Sequence, residues 1–176
     1  AQPSITAAAW HAMMQALRGR AWKFGDEVDT DILAPGTYMK SPLEDLACHC
    51  LEAIDPYFAK SVKVNDFVVA GKSFGIGSSR EQAAQVLSHL GVAAVIASSF
   101  GGIFYRNAFN CGLPAIICAS AEHIENGQQL EVNLKNGTII NLSTKNTLNC
   151  DPIPSHLLDL INAGGLVCYL EKKLNN

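Results

Sequence analysis

Charge is scarce in this chain. Asp, Glu, Lys and Arg make up 16% of its 176 residues, and the signs nearly cancel to a net −3. That excludes a general attraction to nucleic acid or to an acidic membrane surface, so any anion site must be built locally from cations and backbone N–H groups. No apolar run approaches the length of a membrane span. The first twenty residues lack a basic segment followed by a compact apolar core, so no signal peptide is expected and the chain reads as cytoplasmic. Histidine offers no ligand pair, because His11, His49, His89, His123 and His156 are scattered. The six cysteines do not form the framework of a small secreted fold. Cys48 and Cys50, one residue apart on a predicted helix, point roughly 200° away from each other, while Cys111, Cys118 and Cys168 lie in or beside apolar segments and read as reduced core thiols. No metal is expected to be held by this chain alone. Three nucleotide and hydrolase motifs also fail on spacing. Asp66 stands where a P-loop needs its leading glycine, Arg80 stands where a dinucleotide fingerprint needs its third, and Ser78-Ser79 lack the flanking glycines of a nucleophile elbow.

What is present is apolar mass, 48% of the residues, which suits one well-buried domain. The expected organisation is an extension over residues 1–18, helical over Ala7 to Leu17, followed by a single domain over residues 19–176. Chemistry concentrates in Gly71-Lys72-Ser73-Phe74-Gly75-Ile76-Gly77-Ser78-Ser79-Arg80-Glu81-Gln82. An apolar strand, Asp66 to Ala70, precedes it, and a helix whose apolar stripe is Ala83, Ala84, Val86, Leu87 and Leu90 follows. Ser79 and Gln82 fit a capping box, so the helix is predicted to start at Ser79. A glycine-rich turn feeding a helix start, with Arg80 in its first turn, presents unpaired N–H groups and a cation to a carboxylate or phosphate. On residues alone, Ser79 as a simple cap and Arg80 as a solvated cation remain an equal alternative.

The other elements surround that stretch. Arg20 to Phe24 reads as a strand, and Gly25 to Asp31 then places four carboxylates in six residues. Asp26 and Asp29 suit local turns, and Asp31, at the mouth of a strand beginning with Ile32, is the better-placed acid for a site. Thr37 to Ser41 is an exposed loop whose Lys40 is either solvated or reaches a bound anion, and a helix is predicted from Pro42 to Ile54. Val92 to Ala97 and Pro114 to Cys118 are buried strands, with a helix from Ile103 to Asn110 between them. Leu130 to Leu134, Asn136-Gly137 and Thr138 to Leu142 form a hairpin. A helix from Ser155 to Asn162 and a final strand from Leu166 to Leu170 complete the chain. A crossover together with a hairpin gives a compact α/β domain with a mixed sheet.

Three motifs occur in a telling order: Asp29-Thr30-Asp31-Ile32, then Gly71 to Glu81, then Ser99-Phe100-Gly101-Gly102-Ile103-Phe104-Tyr105-Arg106-Asn107-Ala108. With these, the chain from Gly19 to Leu170 resembles the small-subunit family of 3-isopropylmalate dehydratase, the separate-chain form of the aconitase swivel domain. The resemblance implies a swivelling β/β/α domain that closes over a larger partner subunit carrying a [4Fe-4S] cluster, and a hydro-lyase that dehydrates and rehydrates a 2-hydroxy acid. It implies Ser78 as the base that takes a proton from carbon, Ser79 and Arg80 as binders of the substrate carboxylate, and Asp31 as a further member of the site. Lys40 sits in the loop where related enzymes differ in substrate, with lysine where homocitrate- and aconitate-type enzymes tend to have arginine. Ile76 and Gln82 depart from residues common in the family. The side group recognised stays open among isopropylmalate, methyl-substituted malates and longer tricarboxylates. A carboxylate-binding or regulatory module without a catalytic partner stays open as the second reading.

Overall fold

The computed structural model describes residues 16–176. Its organising element is β1 (Ala16–Lys23), whose two halves serve different sheets. Residues Ala16 to Arg20 pair antiparallel with β5 (Gln129–Asn133), whereas Ala21 to Lys23 pair parallel with β2 (Phe67–Ala70). Beyond β2 lie β3 (Ala94–Ala97) and β4 (Ala115–Ile117), both parallel; beyond β5 lie β6 (Thr138–Asn141) and β7 (Asn146–Asn149), both antiparallel. The strand order is β4-β3-β2-β1-β5-β6-β7. β2 and β3 are buried at every residue, as strands covered on both faces must be, and their sequences are accordingly unbroken apolar runs. β5 alternates, with Leu130 and Val132 buried and their neighbours half exposed, which marks a sheet with one wet face.

Among the described residues seven short α-helices complete the fold: α1 (Thr30–Leu33), α2 (Leu43–Ala47), α3 (Phe58–Ser61), α4 (Gln82–His89), α5 (Gly102–Asn110), α6 (Ser155–Ala163) and α7 (Leu166–Leu174). The swivel-type α/β class with a mixed sheet expected from the sequence is the one observed. The β2-α4-β3 crossover, α5, β4, the β5-β6 hairpin and α6 stand where the periodicity placed them.

Elsewhere the structure corrects the sequence. The helix expected over Ala7 to Leu17 lies outside the described residues as far as position 15, and Ala16 and Leu17 belong to β1. The strand expected after Asp31 is the single turn α1, because the Asp29 side chain accepts from the Ile32 N–H at 2.8 Å and caps it. The long helix expected to Ile54 stops at Ala47. Leu51 takes a left-handed backbone (φ 61°) and gives its N–H to Ile32 O at 3.0 Å, so a tertiary bond replaces the next helical one. α4 starts at Gln82, not Ser79, and no side chain caps it. The Arg80 N–H turns back on Ser78 O at 2.8 Å, a tight turn that a helix beginning at Ser79 could not contain. The final strand is α7. The apolar block Leu166 to Leu170 hides the helical spacing of Leu166, Leu170 and Leu174, and Gly164 (φ 89°) reverses the chain ahead of it. Cys168 is exposed on that helix, whereas Cys118 is buried and Cys111 half-buried. β7 was missed because Asn146, Thr147 and Asn149 form a polar edge with no apolar face.

Asp66 locks the junction of the two sheets. Its carboxylate, buried beside β2, accepts from Arg20 N (3.2 Å) and Trp22 Nε1 (3.0 Å) of β1 and from Lys63 N (2.8 Å). Trp22 in turn packs edge-on against Phe58 at 5.4 Å. A buried donor left without its acceptor costs about 1–3 kcal/mol. Asp66→Ala is therefore expected to lower unfolding stability by about 2–4 kcal/mol in urea titration, with Asp66→Asn losing less because one carbonyl acceptor survives. A loss under about 0.5 kcal/mol for Asp66→Ala would show that the junction holds without it.

Candidate functional site

The three motifs converge at the carboxyl ends of β1, β2 and β3, where open α/β sheets bind ligands. Backbone hydrogen bonds lace the first motif to the second. Gly71 N donates to Gly25 O (3.2 Å), Glu27 N to Lys72 O (2.8 Å), Gly75 N to Val28 O (2.7 Å) and Thr30 N to Ile76 O (2.9 Å). Asp26 joins this lacing through its side chain, which accepts from Lys72 N at 2.7 Å. The third motif closes from the other side: the Ser99 hydroxyl accepts from Ser73 N (2.8 Å), Phe74 N donates to Ser99 O (3.0 Å), and Gly101 N donates to Phe74 O (2.8 Å). Beneath the loop, Phe74, Phe100 and Phe104 pack with centroids 5.2–6.1 Å apart. Gly75 is required there. Its φ is 78°, and a Cβ would stand 2.2 Å from the Phe104 ring.

On this scaffold the structure brings Arg80 against Asp31. Arg80 Nη1 donates to Asp31 Oδ1 at 2.7 Å and to Ala34 O at 3.0 Å, and the same Asp31 oxygen accepts from Gly36 N at 2.9 Å. The Arg80 hydrogen bond, followed by that from Gly36, holds the Asp31 carboxyl below the ordinary carboxylate range. Because the guanidinium is anchored through Nη1 alone, Nε and Nη2 carry no hydrogen bond among the described residues. A planar donor edge remains for a carboxylate. Ser78 and Ser79, both exposed, immediately precede Arg80 in the chain, and neither hydroxyl has a hydrogen-bond partner among the described residues. Lys40 is exposed, four residues beyond Gly36, in the segment that leaves the Asp31–Arg80 pair.

The structure thus brings together two of the charged residues read from the sequence, Arg80 and Asp31, leaves Lys40 apart from them, and adds Ala34 O and Gly36 N, which sequence reasoning missed. These are backbone groups, whose positions no residue type announces. The electrostatics of a helix start, by contrast, do not apply as read: Arg80 lies two residues ahead of α4 and is held by Asp31, not by the helix end.

Among the described residues no group of three or more His, Cys, Asp or Glu side chains is placed to hold a metal ion. Nor do the cysteines suit an iron–sulfur cluster. Cys50 is fully buried in apolar surroundings, which push its thiol pKa up, and the Cys118 thiol is turned to Asn149 O at 3.9 Å, away from the glycine-rich loop. The residues present do not fit such a group. A groove of about 470 Å³ exists, but its lining by Leu17, Ala93 and Pro114 puts it at the opposite end of the strands.

Comparison with known proteins agrees with this geometry. The Aconitase C-terminal domain model matches residues 42–120. The chain is similar to 3-isopropylmalate dehydratase small subunit 1 of Thermotoga maritima, at 48% identity over 89% of this chain and 95% of that protein. It is also similar to the methanogen homoaconitase small subunit of Methanothermobacter thermautotrophicus, at 43% identity over 90% and 93%. A crystal structure of 3-isopropylmalate dehydratase from Methanocaldococcus jannaschii superposes with a TM-score of 0.86 at 44% identity, covering 90% of this chain and 95% of that one. The identity and coverage, together with the converged motifs, show that the chain belongs to the small-subunit family of 3-isopropylmalate dehydratase, with the fold of the aconitase C-terminal domain.

Proposed function

We propose that the chain is the small subunit of a two-subunit hydro-lyase that isomerises a 2-hydroxy acid, 3-isopropylmalate or a close relative, by removing water and adding it back. The observation that carries this reading is the Arg80 guanidinium, anchored by Asp31 and Ala34 O on one nitrogen, directly after two serine hydroxyls; among the described residues its remaining donor edge and both hydroxyls have no partner. The free edge binds a substrate carboxylate in two-point fashion, and Ser79 adds a hydroxyl donor to the same group. Ser78 takes the proton from the carbon next to that carboxylate. Loss of the proton and of the neighbouring hydroxyl leaves a double bond, and return of water with the positions exchanged completes the isomerisation.

A serine is too weak an acid to serve as a base in water, so its alkoxide needs a dry site with cationic stabilisation. Here Ser78 and Ser79 are open to solvent. The half-open site supports completion by a larger partner subunit, and the lack of a fitting ligand group among the described residues is compatible with a [4Fe-4S] cluster carried by that partner. The exposed Ile103, in the first turn of α5 and within the third motif, suits the same interface. Six free cysteines suit a reducing compartment such as the cytoplasm. No described helix is long and apolar enough to cross a membrane. A regulatory module that merely binds carboxylates would need none of the Ser78 chemistry.

Relatives of nearly equal identity carry names for different acids, so overall similarity does not choose the side group. We assign that choice to the loop Thr37 to Ser41. Its first anchor, Gly36, lies so close to Arg80 that a Cβ there would come within 3.4 Å of Nη2. A substrate held on Arg80 therefore extends its remote group toward Met39 and Lys40.

Three measurements test these assignments. In the reconstituted two-subunit enzyme, Ser78→Ala is expected to leave assembly and substrate binding intact while turnover falls at least about 10²-fold. Turnover within a few fold of the parent would remove Ser78 from the chemistry. Exchanging Lys40 for leucine is expected to shift the kcat/KM ratio between acids with charged and apolar side groups by about 10-fold or more, one well-made contact's worth. Equal losses on both would leave the loop a structural role only. For the ion pair, Asp31 carries a depressed pKa, so its pairing with Arg80 is complete at neutral pH and is lost only as pH falls through that lowered value. In Arg80→Gln the Asp31 titration, followed by carboxyl carbon NMR, is expected to rise toward the unperturbed 3.8. An unmoved titration would mean that the pair does not form in solution.

A further inference from the structure

The loop that flanks Arg80 is braced at a second point by groups the reaction does not use. Tyr38, at the end of the one-turn 3-10 helix Gly36–Tyr38, lays its ring flat on His49, with centroids 3.6 Å apart and planes 5° from parallel. His49 Nδ1 lies 2.7 Å from Glu52 Oε2. An ionised carboxylate only accepts, so Nδ1 carries the proton and the imidazole plane is fixed by that bond. The segment bearing His49 is itself tied to α1, since Leu51 N donates to Ile32 O at 3.0 Å. The other end of the loop is tied to the same helix, through Gly36 N and the Asp31 carboxylate. A closed circuit results. One route runs from Asp31 through Gly36 to Tyr38, the other from Ile32 through Leu51 and His49 to Tyr38, and the next two residues are the half-buried Met39 and the exposed Lys40.

Core packing explains only part of this brace, since Tyr38 packs against the hydrophobic core while its partner His49 stays near the surface. Tyr38, His49 and Glu52 are all partly exposed, and the His49 side chain retains 31% of its accessible surface. A surface pair of this kind contributes little stability. What the stack does fix is the angle at which the chain leaves Gly36. Met39 N returns to Gly36 O at 3.3 Å and Ser41 N to Tyr38 O at 3.0 Å, so any tilt of the Tyr38 ring is carried to the two residues after it.

We propose that His49, oriented by Glu52, is a positioning residue for substrate discrimination: through its stack on Tyr38 it sets where Met39 and Lys40 stand relative to Arg80. It touches neither the substrate nor Ser78. The proposal rests on the reading that Arg80 binds the substrate carboxylate and that the loop meets the remote group.

The test uses the assembled two-subunit enzyme and two malates, one bearing a branched alkyl group and one a carboxyalkyl group at the adjacent carbon. His49→Ala is expected to change the ratio of their kcat/KM values by about 10-fold, mainly through KM, with kcat on the better acid within about 3-fold of the parent. His49→Phe, which keeps a flat ring under Tyr38, is expected to restore most of the parental ratio, and Glu52→Gln to fall between. Amide hydrogen exchange over Thr37 to Ser41 is expected to quicken in His49→Ala and to recover in His49→Phe. Equal losses on both acids, or a ratio within about 2-fold of the parent, would overturn the proposal while a working parent leaves the assigned function standing. A parent complex that turned over neither acid would sink the functional reading and this proposal with it.

Discussion

The site depends on the backbone lacing between Gly25 to Thr30 and Gly71 to Ile76. Four main-chain bonds and the Asp26 side chain hold two loops from adjacent parallel strands in one fixed relation. Asp31 enters on the first loop and Arg80 on the second, so their 2.7 Å contact follows from the lacing. The aromatic trio under Gly75 keeps the second loop from sinking, and Ser99 holds its flank. Under the proposed function this anchoring matters, because a guanidinium that had to be gathered from solvent would spend part of its binding free energy on side-chain ordering.

That arrangement divides the labour within one stretch of chain. Arg80 is half-buried and anchored, whereas Ser78 and Ser79 are exposed and without a partner among the described residues. Under the proposed function the anchored group binds and one of the exposed hydroxyls reacts. The exposure of the serines also explains why this polypeptide presents a surface where a complete enzyme would present a cleft. The groove of about 470 Å³ lies at the wrong end of the strands to serve.

Most of the parallel half was legible because its signals are dense. β2, β3 and the helix between them are unbroken apolar runs and a clean helical stripe, and Gly75, Gly77, Ser78 and Arg80 can be read as a loop with a purpose. The losses have a common cause. At Ile32, Leu51 and Ser78 a tertiary or tight-turn hydrogen bond decides the backbone, and such bonds leave no mark on local periodicity. The apolar block opening α7 reads equally as strand or helix until the sheet is known to end at β4 and β7. Ala34 O and Gly36 N escaped for a related reason, since a backbone group becomes part of a site only through where the chain is put. The ionic members were readable because charge is so scarce in this chain that four acids in six residues stand out.

The shared strand also orders the chain in time. The first half of β1 finds its partner far away: Arg18 and Glu131, bonded across the β1-β5 pair, are separated by 113 positions. The second half meets β2 after a far shorter loop. Loop-closure entropy favours the nearer pairing, so the parallel sheet and the glycine-rich loop assemble while Ala16 to Arg20 still wait as an open edge. During synthesis that edge is the first described part of the sheet to leave the ribosome, and it waits through the longest stretch of chain for its partner. Arg18 and Arg20, which alternate with Leu17 and Gly19 along it, put positive charge on a strand that would otherwise invite pairing with another chain.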